Sequence, residues 1–226
     1  MTNLFEYLKE RAYPGRGIML GKNPEGKSVC AYFIMGRSVN SRNRVFETTE
    51  DGIRTKAFDE SQMVDPSLII YHPVRRVKNY FVVTNGDQTD TIRDDLVSGR
   101  TWLDALCSRR FEPDEPNWTP RISGIEFPCG GYLLSILKSQ NGNPACCERF
   151  FYSYDEPQAG MGHFISTYEG FGSPLPSFHG DPVAVEVPAL NAAELADQIW
   201  NALDNDNKVS LYVCVDGDEV ILNKNC

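Results

Sequence analysis

The strongest constraint on the fold is a run of seven residues, 29–35, with the sequence Val-Cys-Ala-Tyr-Phe-Ile-Met. A strand with one face in water alternates apolar and polar residues, whereas a strand covered on both faces is apolar throughout. A second apolar segment, residues 17–20, precedes this run, and the connection between them is rich in turn-forming residues. We therefore expect two strands joined by a turn, in a sheet that is packed on both faces.

The order of the remaining elements indicates the fold class. Helical spacing predicts helices over residues 3–12, 87–97 and 191–203, and another that begins at Thr101. Apolar runs predict strands at residues 68–71, 80–84, 132–138, 149–154, 164–168 and 183–187, and a final hairpin of residues 211–215 and 219–222. The regular βαβ alternation of a doubly wound sheet is absent from this order. We expect an α+β fold, with antiparallel sheets and helices outside them, and a single domain over residues 1–226.

The charge balance excludes several classes of partner. The chain has 22 basic and 31 acidic residues, which leave a formal net charge of −9. Binding to nucleic acids or to anionic membranes depends on a surplus of Lys and Arg, so neither is expected as a partner. No stretch approaches the roughly 20 apolar residues of a membrane span, and residues 1–11 contain no signal-peptide core. These features predict a cytoplasmic protein that could still contain a local basic pocket for a small anion.

The seven cysteines predict neither a disulfide framework nor a zinc site. They are Cys30, Cys107, Cys129, Cys146, Cys147, Cys214 and Cys226. None of them forms the CxxC pair that lets one loop supply two thiolates to a metal. We expect reduced thiols in a reducing compartment, and no metal.

Residues 21–28, Gly-Lys-Asn-Pro-Glu-Gly-Lys-Ser, match the phosphate-binding pattern G-x-x-x-x-G-K-S. That loop needs a helix after it, so that backbone N–H groups and the helix N-terminus face the phosphates. The residues that follow are β-branched and aromatic, without a helical period. A hairpin turn is the better interpretation.

Three segments carry groups suited to binding and catalysis. Residues 36–44 contain three arginines directly after the apolar strand, and guanidinium groups bind phosphate or carboxylate oxygens in pairs. Residues 83–91 lead from a buried strand through Asn85-Gly86 into a helix N-terminus, which presents N–H groups to an anion. Glu112 lies in an aromatic, proline-rich loop that could hold a carboxylate for acid–base work. A solvated loop, simple helix capping and an exposed carboxylate are the corresponding structural alternatives.

Taken together, these segments resemble the archaeal-type inosine monophosphate (IMP) cyclohydrolase family. The resemblance runs in order along residues 13–169, and ordered matches at many sites are more specific than any one motif. It rests on Tyr13-Pro14-Gly15-Arg16, Arg37-Ser38 with Asn43-Arg44, Ile70-Tyr71, Thr84-Asn85-Gly86 with Thr89-Asp90-Thr91-Ile92, Phe111-Glu112, Thr119-Pro120-Arg121-Ile122 and Ile165-Ser166-Thr167-Tyr168-Glu169.

The resemblance implies a four-layer αββα sandwich similar to the N-terminal-nucleophile hydrolase fold. It also implies the dehydrative ring closure of 5-formamidoimidazole-4-carboxamide ribonucleotide to IMP in purine synthesis, with a small purine ribonucleotide as substrate and no cofactor. Catalysis would fall to Arg44, Tyr71 and Glu112. Substrate would be bound by Arg16 and Arg37 at the phosphate, and by Ser38, Asn43, Asn85, Thr89, Asp90, Thr91 and Arg121 elsewhere. Association into a homo-oligomer stays open.

Two other functions remain open at this point. A non-catalytic purine-nucleotide-binding protein would keep the pocket without the chemistry. An amidohydrolase of the N-terminal-nucleophile type would act through Thr2, exposed by removal of Met1. The alternative without a catalytic role is that Thr2 caps a helix.

Overall fold

A computed structural model of the chain describes residues 1–63 and 65–225. Its first sheet has six antiparallel strands and contains the two elements predicted at the start of the chain. In sequence order the strands are β1 (Arg16–Lys22), β2 (Ser28–Met35), β10 (Met161–Ser166), β11 (Val183–Glu186), β12 (Lys208–Val215) and β13 (Asp218–Asn223). Their order across the sheet is β11-β10-β1-β2-β12-β13. The apolar strand β2 is therefore central.

The second sheet is an antiparallel meander of seven strands that lie side by side in sequence order. They are β3 (Arg44–Thr49), β4 (Gly52–Ala57), β5 (Val74–Val77), β6 (Tyr80–Thr84), β7 (Arg121–Glu126), β8 (Tyr132–Gln140) and β9 (Asn143–Tyr154).

Five α-helices complete the described secondary structure, together with a 3₁₀ turn at Glu60–Gln62. They are α1 (Leu4–Lys9), α2 (Val39–Arg42), α3 (Gln88–Val97), α4 (Trp102–Ser108) and α5 (Ala192–Ala202). The side chains of Asn3, Thr101 and Asn191 accept hydrogen bonds from backbone N–H groups in the first turns of α1, α4 and α5. Such caps satisfy N–H groups that have no partner within the helix, which explains why these helices begin where they do.

Alternate residues of β2 face different layers, which explains why the whole strand is apolar. Tyr32 and Ile34 pack against residues of the second sheet, in a core that includes Phe46 and Ile53. Phe33 and Met35 face the other way, into a core shared with α1 and α5. A third core joins the outer face of the second sheet to α3 and α4. The two sheets face one another and carry helices on their outer sides, so the α+β prediction is confirmed.

The strand predicted at residues 68–71 is wrong. This segment forms a turn, and Ile69 and Tyr71 are buried because the segment binds β4. The hydroxyl of Thr55 donates to the backbone oxygen of Ile69 over 2.7 Å, and the N–H of Tyr71 donates to that hydroxyl over 2.8 Å. The apolar character of the segment reflects burial and not strand structure.

Four strands that the sequence pattern did not predict are β3, β4, β5 and β7. In β4 buried residues alternate with exposed Arg54 and Lys56, and β5 has only four residues. Short strands with charged side chains on one face show little of the continuous hydrophobicity used to identify β2.

Residues 21–28 form the predicted hairpin. Strands β1 and β2 pair from Arg16 opposite Ile34 to Lys22 opposite Ser28. The side chain of Asn23 accepts hydrogen bonds from the N–H groups of Glu25 and Lys27, which closes the turn. A strand follows instead of a helix, so the match to the phosphate-binding pattern is a coincidence of sequence.

Six cysteines carry free thiols, and Cys226 lies outside the described residues. Within residues 1–63 and 65–225, no group of three or more His, Cys, Asp or Glu side chains is placed to hold a metal ion. None of the helices formed by those residues has the length and apolar character that a membrane span requires.

Candidate active site

Four polar side chains from distant parts of the chain meet at one end of the space between the sheets. Arg16 and Arg44 begin β1 and β3, and both point between the sheets because Ile18 and Phe46, two residues further along, do so. Tyr71 comes from the turn beside β4, and Glu112 from the loop between α4 and β7. We call these four residues the buried cluster, since all of them are less than a tenth exposed.

Arg44 is the most unusual member of the cluster. Its side chain is completely buried, and Nε donates a 2.9 Å hydrogen bond to the backbone oxygen of Ser41. The terminal nitrogens Nη1 and Nη2 have no hydrogen-bond partner among the described residues, and neither does Nε of Arg16. Burial, and then the charge of Arg16, lower the pKa of Arg44. Buried donors without partners are costly, so these nitrogens are free to donate to acceptor oxygens that enter the cluster.

Glu112 provides a carboxyl group that titrates near neutrality. Burial raises its pKa to about 7, although the positive charges of Arg16, Arg121 and Arg44 oppose this shift. Asp114 adds a smaller raising effect. A carboxyl with this pKa can both accept and return a proton near pH 7, as an acid–base catalyst must.

Glu112 and Arg16 act on one another through their charges. Burial disfavours the Arg16 guanidinium, but the Glu112 carboxylate and then the phenol of Tyr71 outweigh this effect and raise the pKa of Arg16. Arg16 therefore stays charged inside the protein, and the cluster as a whole favours a negatively charged or strongly polar ligand.

The loop that carries Glu112 is held in place by its neighbours. The N–H of Glu112 donates to the backbone oxygen of Thr119 over 2.9 Å. The hydroxyl of Thr119 in turn contacts the side chain of Asp114 and lies 2.5 Å from the hydroxyl of Tyr168. The loop that carries Glu112 is therefore bonded to Tyr168, in the segment that directly follows β10 of the first sheet.

Tyr71 is held at both its backbone and its hydroxyl. The N–H of Thr55 donates to the backbone oxygen of Tyr71 over 2.9 Å, in addition to the bond that Tyr71 donates to Thr55. The Tyr71 hydroxyl lies 2.9 Å from the hydroxyl of Tyr32, which comes from the centre of β2. The turn that carries Tyr71 contains no helix or strand, and it is bonded to one strand of each sheet.

Arg121 lies where α3 begins, next to the cluster. It donates to Gln88 over 2.6 Å and pairs with Asp87 over 2.7 Å. A methyl group on Gly86 would lie 2.5 Å from Nη1 of Arg121 and 3.5 Å from Oε1 of Glu112. Because Gly86 has no side chain, a space remains between Arg121 and Glu112. This space lies at the N-terminal end of α3, where the helix dipole is positive.

Arg37 lies at the rim and not in the buried cluster. It is exposed, and its guanidinium carbon lies 4.9 Å from the ring centre of Tyr13. The Tyr13 ring stacks on Tyr168 and on the exposed Phe171 at centroid distances of 6.2 and 5.8 Å. This stack connects Arg37 to the buried end of the site.

Several residues predicted to bind substrate already have partners within the protein. Asn85 donates to the backbone oxygen of Pro120 and accepts from the N–H of Ile122, each over 2.8 Å. Thr89 shares a 2.6 Å hydrogen bond with Thr84. Asp90 accepts a 2.7 Å bond from Arg75, and Thr91 is half-buried on α3. These contacts shape the corner below Gly86, and the predicted binding roles stay predictions.

Two further predicted residues organise the segment before β3. Asn43 exchanges hydrogen bonds with the backbone of Asp59, each 2.8 Å long. Ser38 caps α2 by accepting from the N–H of Ser41 over 3.1 Å. Their described contacts hold the chain that delivers Arg44.

The sequence patterns did not indicate that Tyr13, Tyr32 or Gln88 contributes to the site. Tyr32 did carry a signal, because a hydroxyl inside an otherwise apolar strand must find a polar partner. Tyr168 and Tyr13 lay in segments that carried the resemblance, but neither was assigned a role. Gln88 gave no signal apart from its place at the start of a helix.

Thr2 is placed at the other end of the first sheet. Thr2 forms a β-bridge with Val185 of β11, and Val185 pairs with Gly162 of β10. Gly162 in turn pairs with Gly21, which lies at the opposite end of β1 from Arg16. This position gives no support to a nucleophile at Thr2 acting with the buried cluster.

Comparison with known proteins agrees with the ordered motifs. The family model described as "IMP cyclohydrolase-like protein" matches residues 13–219. An IMP cyclohydrolase of Methanopyrus kandleri is 31% identical over 160 residues, which cover 69% of this chain and 75% of that protein. One from Methanocaldococcus jannaschii is 31% identical over 205 residues, or 90% and 93% of the two chains. One from Methanosphaera stadtmanae is 26% identical over 193 residues, or 84% and 85%.

Proposed function

The chain belongs to the IMP cyclohydrolase-like family, and from this premise we propose that it is an IMP cyclohydrolase whose buried cluster closes the purine ring. The observation that carries this proposal is that the terminal nitrogens of Arg44 have no partner among the described residues, while the charge of Arg44 reaches the Glu112 carboxyl, whose pKa is about 7. Together they offer donors for a developing negative oxygen and a group that can move a proton.

The reaction sets three requirements. In 5-formamidoimidazole-4-carboxamide ribonucleotide, the carboxamide nitrogen must attack the formyl carbon to form the new C–N bond. The formyl oxygen then leaves as water, with one proton from the carboxamide nitrogen and one from the formamido nitrogen. An amide is a poor nucleophile and a formamide a poor electrophile. The enzyme must therefore align the two arms, stabilise charge on the formyl oxygen and transfer protons.

We assign Arg44 to the formyl oxygen. Its guanidinium is held through Nε by Ser41, and Nη1 and Nη2 are buried without a hydrogen-bond partner among the described residues. Donors fixed before the reaction stabilise charge that develops in the transition state, with no cost of reorganisation. We assign to Tyr71, which is held by Thr55 and Tyr32, a hydrogen bond donated to the same oxygen.

We assign proton transfer to Glu112. Near pH 7 a substantial fraction of this carboxyl is ionised, so it can take a proton from the carboxamide nitrogen as that nitrogen attacks. The protonated form can then give this proton to the formyl oxygen, which becomes a hydroxyl. The carboxylate so regenerated can carry the formamido N–H proton to that hydroxyl as it leaves as water. A carboxylate with the ordinary pKa of 4.5 would be a weaker base for the first step.

The remaining assignments concern substrate binding. Arg37 at the rim and Arg16 in the cluster are our candidates for the 5′-phosphate, since guanidinium groups bind phosphate through paired hydrogen bonds. We propose that the corner formed by Asn85, Thr89, Asp90, Thr91 and Arg121 lines the ribose and base, with Ser38 and Asn43 shaping the opposite side.

We further propose that the two facing sheets and their outer helices form the αββα sandwich of the N-terminal-nucleophile hydrolase type, and that residues 1–226 act as one domain. A cytoplasmic location fits an enzyme that acts on a free biosynthetic nucleotide.

The test is conversion of the formamido ribonucleotide to IMP by the purified chain, followed by absorbance and by chromatographic identification of the product. Arg44→Lys should lower kcat about 100-fold or more, because a lysine cannot replace two terminal donors fixed in one plane. Arg54→Lys, on the exposed face of β4, is the matched control and should leave the rate unchanged. Tight binding of IMP by calorimetry without any turnover would instead identify a nucleotide-binding protein.

A further inference from the structure

The two buried phenols between the sheets, Tyr32 and Tyr71, form a hydrogen-bonded pair. We propose that Tyr32 is a positioning residue: its hydroxyl donates a hydrogen bond to Tyr71 and thereby directs the Tyr71 proton towards the substrate oxygen. This inference rests on the proposed function, because it concerns what Tyr71 does in ring closure.

The geometry of the pair is rigid. The two hydroxyl oxygens are 2.9 Å apart. Tyr32 is completely buried at the centre of β2, and its ring stacks on Phe46 with centroids 5.7 Å apart and an angle of 20° between the planes. Tyr71 is fixed by its backbone bonds to Thr55. Tyr32 cannot turn away without disturbing the packed sheet, and Tyr71 cannot without breaking its backbone bonds to Thr55, so the hydrogen bond is part of the resting site.

The direction of the bond follows from counting donors and acceptors. Each phenol has one proton, and the bond between the two oxygens uses only one of these protons. Tyr32 has no other described side-chain partner, so if it accepted from Tyr71 its own proton would be buried without an acceptor. If Tyr32 donates, the proton of Tyr71 is the free one, and Tyr71 borders the cluster where a substrate oxygen can accept it.

The neighbours of Tyr71 favour the same direction. Arg16 and Arg44 both interact with the oxygens of the two phenols through their charge, and a guanidinium can only donate hydrogen bonds. Burial, followed by the neighbouring Tyr71, raises the pKa of Tyr32 well above its ordinary value, so Tyr32 keeps its proton. Tyr32 therefore keeps the proton that it donates in the proposed pair, and Tyr71 passes the polarisation on to the ligand.

The experiment compares two phenols that neighbour one another across the same sheet. Tyr212 lies directly opposite Tyr32 in the pairing of β12 with β2, is equally buried, and has a hydroxyl with no partner among residues 1–63 and 65–225. Tyr32→Phe should lower kcat about tenfold with KM changed less than twofold, and Tyr212→Phe should leave both constants unchanged. Both variants remove one oxygen from the same core layer, so the comparison separates the effect on Tyr71 from an effect on packing.

A double-mutant cycle provides the decisive measurement. In a Tyr71→Phe background, Tyr32→Phe should change kcat less than twofold, because the group through which it acts is gone. A merely structural role would give the same tenfold loss in both backgrounds, and that result overturns the inference. So does a Tyr32→Phe enzyme with the wild-type kcat. If the wild-type chain produces no IMP, the proposed function fails and this inference fails with it. If the wild type is active and only the cycle is additive, the inference alone fails.

Discussion

Replacement of Glu112 by glutamine should make the folded protein more stable at pH 8 while removing its activity. Glutamine keeps the shape of the side chain but cannot ionise. In the wild-type chain the carboxyl is 2% exposed, and burial raises its pKa from the ordinary 4.5 to about 7. The folded state therefore holds this proton more tightly than the unfolded chain does.

The size and sign of the effect follow from this difference. Below pH 4.5 the carboxyl is protonated in both states, so it has no influence on the free energy of unfolding. Between pH 4.5 and 7 the unfolded chain loses the proton first, and the folded state loses stability as the pH rises. Each pH unit costs about 1.4 kcal/mol, so the wild type should be less stable by about 3 kcal/mol above pH 7 on account of this group. Glu112→Gln removes that loss.

The assay is urea unfolding of wild type and variant at pH 5 and at pH 8. The variant should differ little from the wild type at pH 5 and exceed it by about 3 kcal/mol at pH 8. Glu115→Gln, at an exposed position of the same loop, is the control and should show no pH-dependent difference. A stability difference for Glu112→Gln that is equal at the two pH values would refute the argument, because the carboxyl would then not be held protonated by burial.

The same pKa predicts the pH dependence of catalysis. If Glu112 must be ionised to accept the carboxamide proton, kcat/KM should rise with pH towards a plateau, with its midpoint near 7. In Glu112→Gln this rise should be absent, and kcat should be lower by about 100-fold or more. An unchanged profile in the variant would remove Glu112 from the proton-transfer step.

Two further substitutions test the rim and the corner of the site. Arg37→Ala should raise KM about tenfold with kcat within twofold in steady-state kinetics, because an exposed arginine at the rim would bind substrate and transition state equally; a fall in kcat alone would contradict this role. Gly86→Ala should lower stability by about 1–3 kcal/mol in urea unfolding, because the new methyl group would lie 2.5 Å from Nη1 of Arg121. Gly170→Ala, where nothing lies within 4 Å of the added carbon, is its control and should be neutral; equal effects of the two glycine substitutions would refute the steric argument.

Elements with a local cause could be predicted from the sequence alone. The caps at Asn3, Thr101 and Asn191 bind N–H groups within three residues, so their signal is contained in a short window. The hairpin at residues 21–28 is equally local. The short strand β5 and the turn at residues 68–71 have no such signal, because their structure depends on strands to which they bind.

The candidate site likewise has features that could be predicted from the sequence and one that could not. Its residue types, and the ordered motifs that contain Arg16, Arg44, Tyr71 and Glu112, were present in the sequence and indicated a family and a reaction. Their meeting in one place could not be predicted from spacing, because nearly a hundred residues separate the first from the last.

The amino-acid sequence by itself determined which side chains are available and which local structures form, since propensity, capping and periodicity act over a few residues. Only the tertiary structure decided the chemical state of those side chains. The pKa of Glu112, the lack of partners for the Arg44 terminal nitrogens among the described residues, and the bond between Tyr32 and Tyr71 arise when two sheets close over them and exclude water. The desolvation of a side chain and its hydrogen bonds depend on every group that surrounds it. In this protein those groups come from distant parts of the chain.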